Sequence, residues 1–562
     1  MRRSTVTAVA AALVASLAVA GCGAQDGEGP APKKQAAVKA DGSNINAHPL
    51  SDIKQGGQLK IGIQQWITQY NGNTPDGSQG DADDIIRLVM PVLFNTDAKG
   101  VASANPNFLT SAKVSQADPQ VVEYELHPKA KWSTGTPLGW KDFEAQWKAL
   151  NGTNPAYEAS DTAGYDQISK VEKGAGEHSV KVTFKAPYAD WQRLFSPLYP
   201  ASHTSTPEQF NKGWQEKVPV SGSAFKVKDY DKTAQTVTAV PDPNWWGQKP
   251  KLDSIVYRAL DPSAYTEAYL NKEIDSTSAL APENYKRLVK DASTEIRRGA
   301  RWDEVHITLN GARGPLKDVK VRNAVQAAID RKGITDSFSK DLTFELPPLD
   351  NHFFMPNQEG YKANAGEYGT FDLARAKKLL DEAGWKDAGE GKPRTKDGKE
   401  LTLSYTLSGG GASSEQDQAE LVQQMLGQAG IKVEIKKVPA NDYFNEFVTA
   451  GNFDLVSFRF VDQLFRSDAF GNYRQPQGKN LYGNYGSVSS PKLEELLTRA
   501  GRTSNRTEAV KLYNEADAEI WKLGHSIELY QRPQITAVRK GLANFGAEGL
   551  ASRDYTKTGW LK

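Results

Sequence analysis

Few residues in this 562-residue chain stand at spacings that would support catalysis. The seven histidines are His48, His127, His178, His203, His306, His352 and His525. They show no short metal-ligand spacing such as two His one helical turn apart, so no metal is expected. The string GEGKPRT around Gly391 has the outline of a phosphate loop. Its Lys392 is followed by Pro393 instead of Ser or Thr, and Lys386 stands where the first glycine is required, which argues against nucleotide binding. No serine occupies a Gly-x-Ser-x-Gly elbow, and the lone cysteine leaves no Cys-based nucleophile in the body of the chain. With 68 acidic residues, close carboxylate pairs arise by chance and single out no glycosidase-like site. The expectation is a protein that is not an enzyme and carries no cofactor. The richer resource is aromatic, 12 Trp and 21 Tyr, most of them assigned to packing and some available to line a ligand cleft.

The single cysteine, Cys22, follows an apolar run, Ala8 to Ala20, preceded by Arg2 and Arg3. That run has the length of a secretory signal core and is too short to span a bilayer. Small residues before a lone Cys resemble the lipobox of bacterial lipoproteins, in which residues 1–21 are removed and the thiol carries diacylglycerol. Cys22 is therefore expected to anchor the protein to the outer face of the cytoplasmic membrane. Without a second Cys there is no intrachain disulfide. The 69 basic and 68 acidic residues nearly cancel, which gives no global drive toward nucleic acid.

Residues 22–56 are rich in Gly, Ala, Pro, Lys, Asp and Asn without an apolar period, and are expected to form a tether. The body is expected from residue 57, where Leu59, Ile61 and Ile63 alternate as a strand. In QDQAELVQQMLGQAGIKVEI, Ala419, Val422, Leu426 and Ala429 form a helical face, Gly430 stops the helix, and Ile431, Val433 and Ile435 alternate as a strand. A helix is also expected in VRNAVQAAIDRKGI, with Val321, Val325 and Ala328 on one face. Such units imply a mixed α/β body, and its length implies more than one lobe.

Several segments occur in one order across nearly the whole chain: GGQLKIG (56–62), VMPVLFNTDAKG (89–100), YELHPKAKWSTGTPLGWKDFEAQWKAL (124–150), VPVSGSAFKVKDY (218–230), DPNWWGQKPKLDSI (242–255), LKDVKVRNAVQAAIDRKGI (316–334) and FDLARAKKLLDEAGW (371–385). Together they resemble the large extracellular solute-binding proteins of peptide-type ABC importers, the family 5 group. Each also has a physical reading. In the last, Asp372 is an N-cap, Leu373, Ala376, Leu380 and Ala383 make an apolar stripe, and Gly384 ends the helix. Trp132, Trp245, Trp246 and Trp385 lie inside these segments and are assigned to the frame.

The resemblance implies a two-lobed periplasmic-binding-protein-like α/β fold of the large peptide-binding class (type II). Lobe 1 would span 57–304 with a subdomain inserted at about 74–219, and lobe 2 would span 305–525. Residues 526–562 would return to lobe 1, with crossings near Asp303–Asn310 and Ser526–Arg532. It implies a monomeric receptor that delivers an oligopeptide to ABC permease subunits. In peptide-binding relatives an Asp after a Phe-Asp-Leu strand pairs with the peptide amino terminus. Within FDLVSFRFVDQLFRSDAF, from Phe453, the match is Asp462, with Arg459 where those relatives carry Trp. Arg459, Phe460, Trp66 and Tyr70 complete the expected ligand set. A second resemblance, through the stretch Tyr482 to Ser487, is to actinobacterial lipoproteins of glycolipid mannoside metabolism. It implies a regulatory protein that binds a glycolipid.

Overall fold

The computed structural model describes residues 42–340, 345–410, 413–461, 463–478 and 481–562; Cys22 and Asp462 lie outside them. The central element is a ten-stranded sheet. Its strands in chain order are β1 (Gln58–Ile63), β2 (Phe225–Asp231), β3 (Thr236–Pro241), β4 (Ser254–Ala259), β5 (Ser276–Ser278), β6 (Thr294–Leu309), β7 (Thr402–Ser408), β8 (Lys432–Val438), β9 (Leu455–Val461) and β10 (Ser526–Arg539). Across the sheet they stand in the order β8-β7-β9-β6-β10-β5-β1-β4-β3-β2.

Two hydrophobic cores lie along this sheet, one for each lobe. The first gathers Leu59, Ile63, Trp132, Trp245 and Tyr257 with Val538, Leu542 and Phe545 from the chain's end. The second gathers Ile307, Leu309, Val325, Leu380, Tyr405, Leu426, Ile431 and Leu529. The alternation of Leu59, Ile61 and Ile63 becomes β1, and the expected helix-strand unit becomes the helix Ser413–Gln428 followed by β8, with Gly430 at φ +82°. Asp372 caps the helix Leu373–Glu382 by accepting from the Arg375 amide at 2.8 Å. A separate four-stranded antiparallel sheet, ordered Leu109–Ala117, Gln120–Leu126, Ser179–Phe184, Ile168–Lys173, lies against the helix Trp140–Leu150.

β6 and β10 join the two lobes. They pair antiparallel from Thr294/Arg539 to Thr308/Ser526, but the register breaks between Ala300/Pro533 and Glu304/Gln531, and shifts again by one residue of β10 between Val305/Tyr530 and His306/Glu528. At the first break three residues of β6 face one of β10, and Pro533 has no amide to offer the ladder. Side chains serve the carbonyls left over: Asn357 donates to Ala300 O at 2.7 Å and Gln531 to Arg301 O at 2.8 Å.

The N-terminal stretch differs from the expected tether in its last part. Asn44 exchanges two hydrogen bonds with Ala547 (2.7 and 3.1 Å), and the Lys54 amide donates to Trp560 O at 2.9 Å. Residues 44–54 thus belong to the body. Their polar composition concealed this, because the pairing is through backbone to the distant C-terminal segment. Among the described residues, no helix is long and apolar enough to cross a membrane.

Candidate functional site

A cavity of about 1110 Å³ is lined mostly by the first lobe, together with Arg301 and Trp302 of β6 and Leu464 and Phe465 of the second lobe. One wall is helix α1 (Gly80–Val89), whose apolar face (Ile85, Ile86, Val89) is buried and whose other face turns Asp83, Asp84 and Arg87 to the cavity. The C-terminal loop 549–557 adjoins it as a second wall. Arg553 organises it: the guanidinium donates to both oxygens of Glu548 (2.8 and 2.9 Å), and its Nη1 donates to Asp84 at 3.3 Å. Tyr555 adds a hydroxyl donated to Asp84 at 3.0 Å. Burial raises Asp84, with Arg553 and Tyr555 opposing, whereas for Glu548 the adjacent guanidinium outweighs burial and holds it below the usual carboxylate range. The wall therefore holds charged groups of both signs in one hydrogen-bonded network.

The lobes touch beside this cavity. The Ser467 amide donates to Asp190 Oδ2 at 2.7 Å, Tyr188 Oη donates to Ser467 Oγ at 3.1 Å, and the Ala189 amide donates to Gly501 O at 3.0 Å. The Glu359 amide also donates to Lys99 O at 3.3 Å. Tyr188, Leu194 and Phe195 root the first-lobe side in its core, and Ala469 and Leu493 root the other.

Of the residues expected to meet ligand, Arg459 and Phe460 stand together on β9, paired with β6 across Val305 and Glu304. Arg459 donates to both oxygens of Asp303 (2.9 and 3.2 Å) while 44% of its side chain stays exposed. Arg532 comes within 3.6 Å of the same carboxylate. Burial nevertheless pushes Asp303 above its ordinary value, against the pull of Arg459, Arg532 and Arg301. Phe460 stacks on the His306 ring, centroids 4.9 Å apart. Trp66 packs half-buried on the first core. Tyr70 is enclosed there, edge-on to Tyr230 at 5.7 Å, and none of Arg459, Phe460, Trp66 and Tyr70 reaches the cavity lining.

Sequence reasoning missed a polar layer inside the second lobe. Alternation along β6 sends Val305, Ile307 and Leu309 to the core and Glu304, His306 and Thr308 to the other face. His306 is paired with Glu528 of β10, and Thr308 with Ser526. Burial raises Glu304 to about 8 and Glu528 well above its ordinary value, and lowers His306. The signal is present in the sequence as the alternating Glu-x-His-x-Thr of the crossing segment, a strand spacing and not a helical one.

The chain matches the model described as Bacterial extracellular solute-binding proteins, family 5 Middle, over residues 103–480. It is 33% identical over 557 residues to the oligopeptide-binding protein OppA of Mycobacterium tuberculosis, covering 98% of this chain and 93% of that one. Its fold is similar to that of the periplasmic EDTA-binding protein EppA, with TM-score 0.82, 26% identity and coverage of 93% and 98%. It is also similar to Bacillus subtilis AppA in complex with a nonapeptide, with TM-score 0.72, 20% identity and coverage of 91% and 100%. Proteins of this kind are substrate receptors, not enzymes. With its two lobes, two crossing strands and a cavity between them, the chain belongs to the bacterial extracellular solute-binding proteins of family 5.

Proposed function

We propose that this protein is a membrane-tethered receptor that encloses an oligopeptide between its lobes and hands it to an ABC permease. The observation that carries this reading is the cavity of about 1110 Å³ walled by both lobes and latched beside it by Asp190 and Ser467. Sites for drug-sized ligands run to about 1,000 Å³, so this one has room for several residues of peptide. Oriented charges of both signs suit a ligand that carries an ammonium, a carboxylate and a run of amides. The likeness to an oligopeptide-binding protein over nearly the whole chain supports the same ligand class.

In this reading Asp462, which follows Val461 of β9, receives the peptide amino terminus, and Arg459 and Phe460 flank it. Cys22 carries the lipid that keeps the receptor beside its permease. Native mass spectrometry of the purified protein, as isolated and after incubation with peptide pools, EDTA chelates and a glycolipid extract, tests the ligand class. Peptide adducts that vanish in Asp462→Ala support it. Retention of chelates or glycolipids with no peptide refutes it.

A further inference from the structure

The polar layer on β6 and β10 has the makings of a metal site, distinct from the ligand cavity. Glu304, His306 and Glu528 each present one ligand atom, and these atoms lie within 4.8 Å of one another. All three side chains are at most 1% exposed. His306 Nδ1 is 3.0 Å from Glu304 Oε1, while its Nε2 is 3.0 Å from Thr308 Oγ1. Donation from Nε2 to that hydroxyl leaves the Nδ1 lone pair facing the carboxylates. His352 arrives from outside the sheet. Its Nδ1 is 2.6 Å from Asp517 Oδ1, and its Nε2 stands 3.4 Å from Glu528 Oε1. Glu304 and Glu528 meet through a carboxyl–carboxyl hydrogen bond, while His352 Nε2 and Glu528 Oε2 are otherwise buried without a hydrogen-bond partner among the described residues.

Two features separate this cluster from an ordinary buried hydrogen-bond network. An imidazole held at Nδ1 by a carboxylate, with Nε2 aimed at further acidic oxygens, is the outer-partner arrangement of metal-ligating histidines. In addition, four ligands about 2.05 Å from a tetrahedral ion lie about 3.3 Å from each other; the His306–Glu304 and His352–Glu528 spacings of 3.0 and 3.4 Å match this, and the Glu304, His306 and Glu528 ligand atoms all fall within 4.8 Å.

We propose that Glu304, His306 and Glu528, completed by His352 through Nε2, bind one divalent transition-metal ion inside the second lobe. Imidazole and carboxylate donors without thiolate, in a closed site of four protein groups, suit zinc. Both carboxyls give up their protons to bind it, so two anionic ligands balance the dication. Because Glu304 and His306 belong to β6 and Glu528 to β10, the ion would clamp the two crossing strands together across the second of their register shifts, between Val305 and His306.

The full chain is expressed in minimal medium supplemented with zinc or with cobalt, passed through gel filtration in the presence of EDTA, and assayed for metal and for the visible spectrum. A closed site of this kind predicts about one ion per chain and the d–d bands of tetrahedral cobalt. Both are lost in Glu304→Gln/Glu528→Gln, and retention is reduced in His352→Gln. His306→Gln asks the same question should the double variant fail to fold. Wild-type protein that elutes folded without metal overturns the proposal, as does a folded variant that retains as much metal as the wild type.

Discussion

Replacing Asp190 by Ala should open the receptor. Its carboxylate accepts the Ser467 amide at 2.7 Å, joining a 3₁₀ turn of the first lobe to one of the second. Hydrogen bonds to charged groups contribute about 1.5–3 kcal/mol when enclosed. Both partners here are half-buried, so solvent competes and the lower end, about 1–1.5 kcal/mol, applies. Each 1.4 kcal/mol is about tenfold in an equilibrium, so Asp190→Ala should shift the balance of closed to open forms by about five- to tenfold. Where closed forms are the minority in the free protein, ligand affinity falls by the same factor, because apparent affinity scales with the competent fraction. Dye pairs on the two lobes, read by single-molecule energy transfer with and without ligand, report the closed fraction directly. Tyr188→Phe, which removes only the hydroxyl donated to Ser467 Oγ, should give a smaller shift in the same direction. An unchanged closed fraction in Asp190→Ala, with ligand affinity intact, would refute the idea that these contacts hold the lobes together.

Three further outcomes are expected. A Cβ on Gly486 would lie 2.5 Å from Leu309 O, a main-chain atom that cannot yield, so Gly486→Ala should cost about 1–3 kcal/mol in urea unfolding. Asp372→Ala removes the cap that accepts the Arg375 amide and should cost about 1 kcal/mol by the same assay. Asp291 is held down to about 2, first by the Ser293 amide and hydroxyl and further by Thr294 and Arg539. A carboxyl depressed in the folded state adds stability above its unfolded value of 3.8 that is lost as pH falls through about 2. Urea midpoints of wild type and Asp291→Asn should therefore differ at pH 6 and converge toward pH 2.

Most of the frame was legible because its signals are local. Asp372, Gly384 and Gly430 punctuate helices by their own conformational preferences, and Leu59, Ile61 and Ile63 announce a strand by alternation. What escaped was carried by distant pairing. Asn44 gives no hint that Ala547 awaits it, and Asp190 none that Ser467 closes over it. Arg459 could be placed on a strand from the sequence, but its grip on Asp303 depends on the register of two strands more than 140 residues apart in the chain. Glu304 and His306 were in view and passed over for a different reason: in a strand, neighbours on one face are two positions apart, so a search at helical spacing looks past them.

The break in register between β6 and β10 has a mechanical consequence. Two hydrogen-bonded strands make a strap that bends readily across its face and resists sliding within its plane. At the break β6 loses its rungs to β10 over Arg301 to Asp303, although Asp303 still pairs with Val461 of β9, and Asn357 and Gln531 hold the bared carbonyls. Bending is thereby concentrated in a few residues, and shear remains blocked on either side. A strap interrupted in this way favours swinging of one lobe against the other over sliding past it.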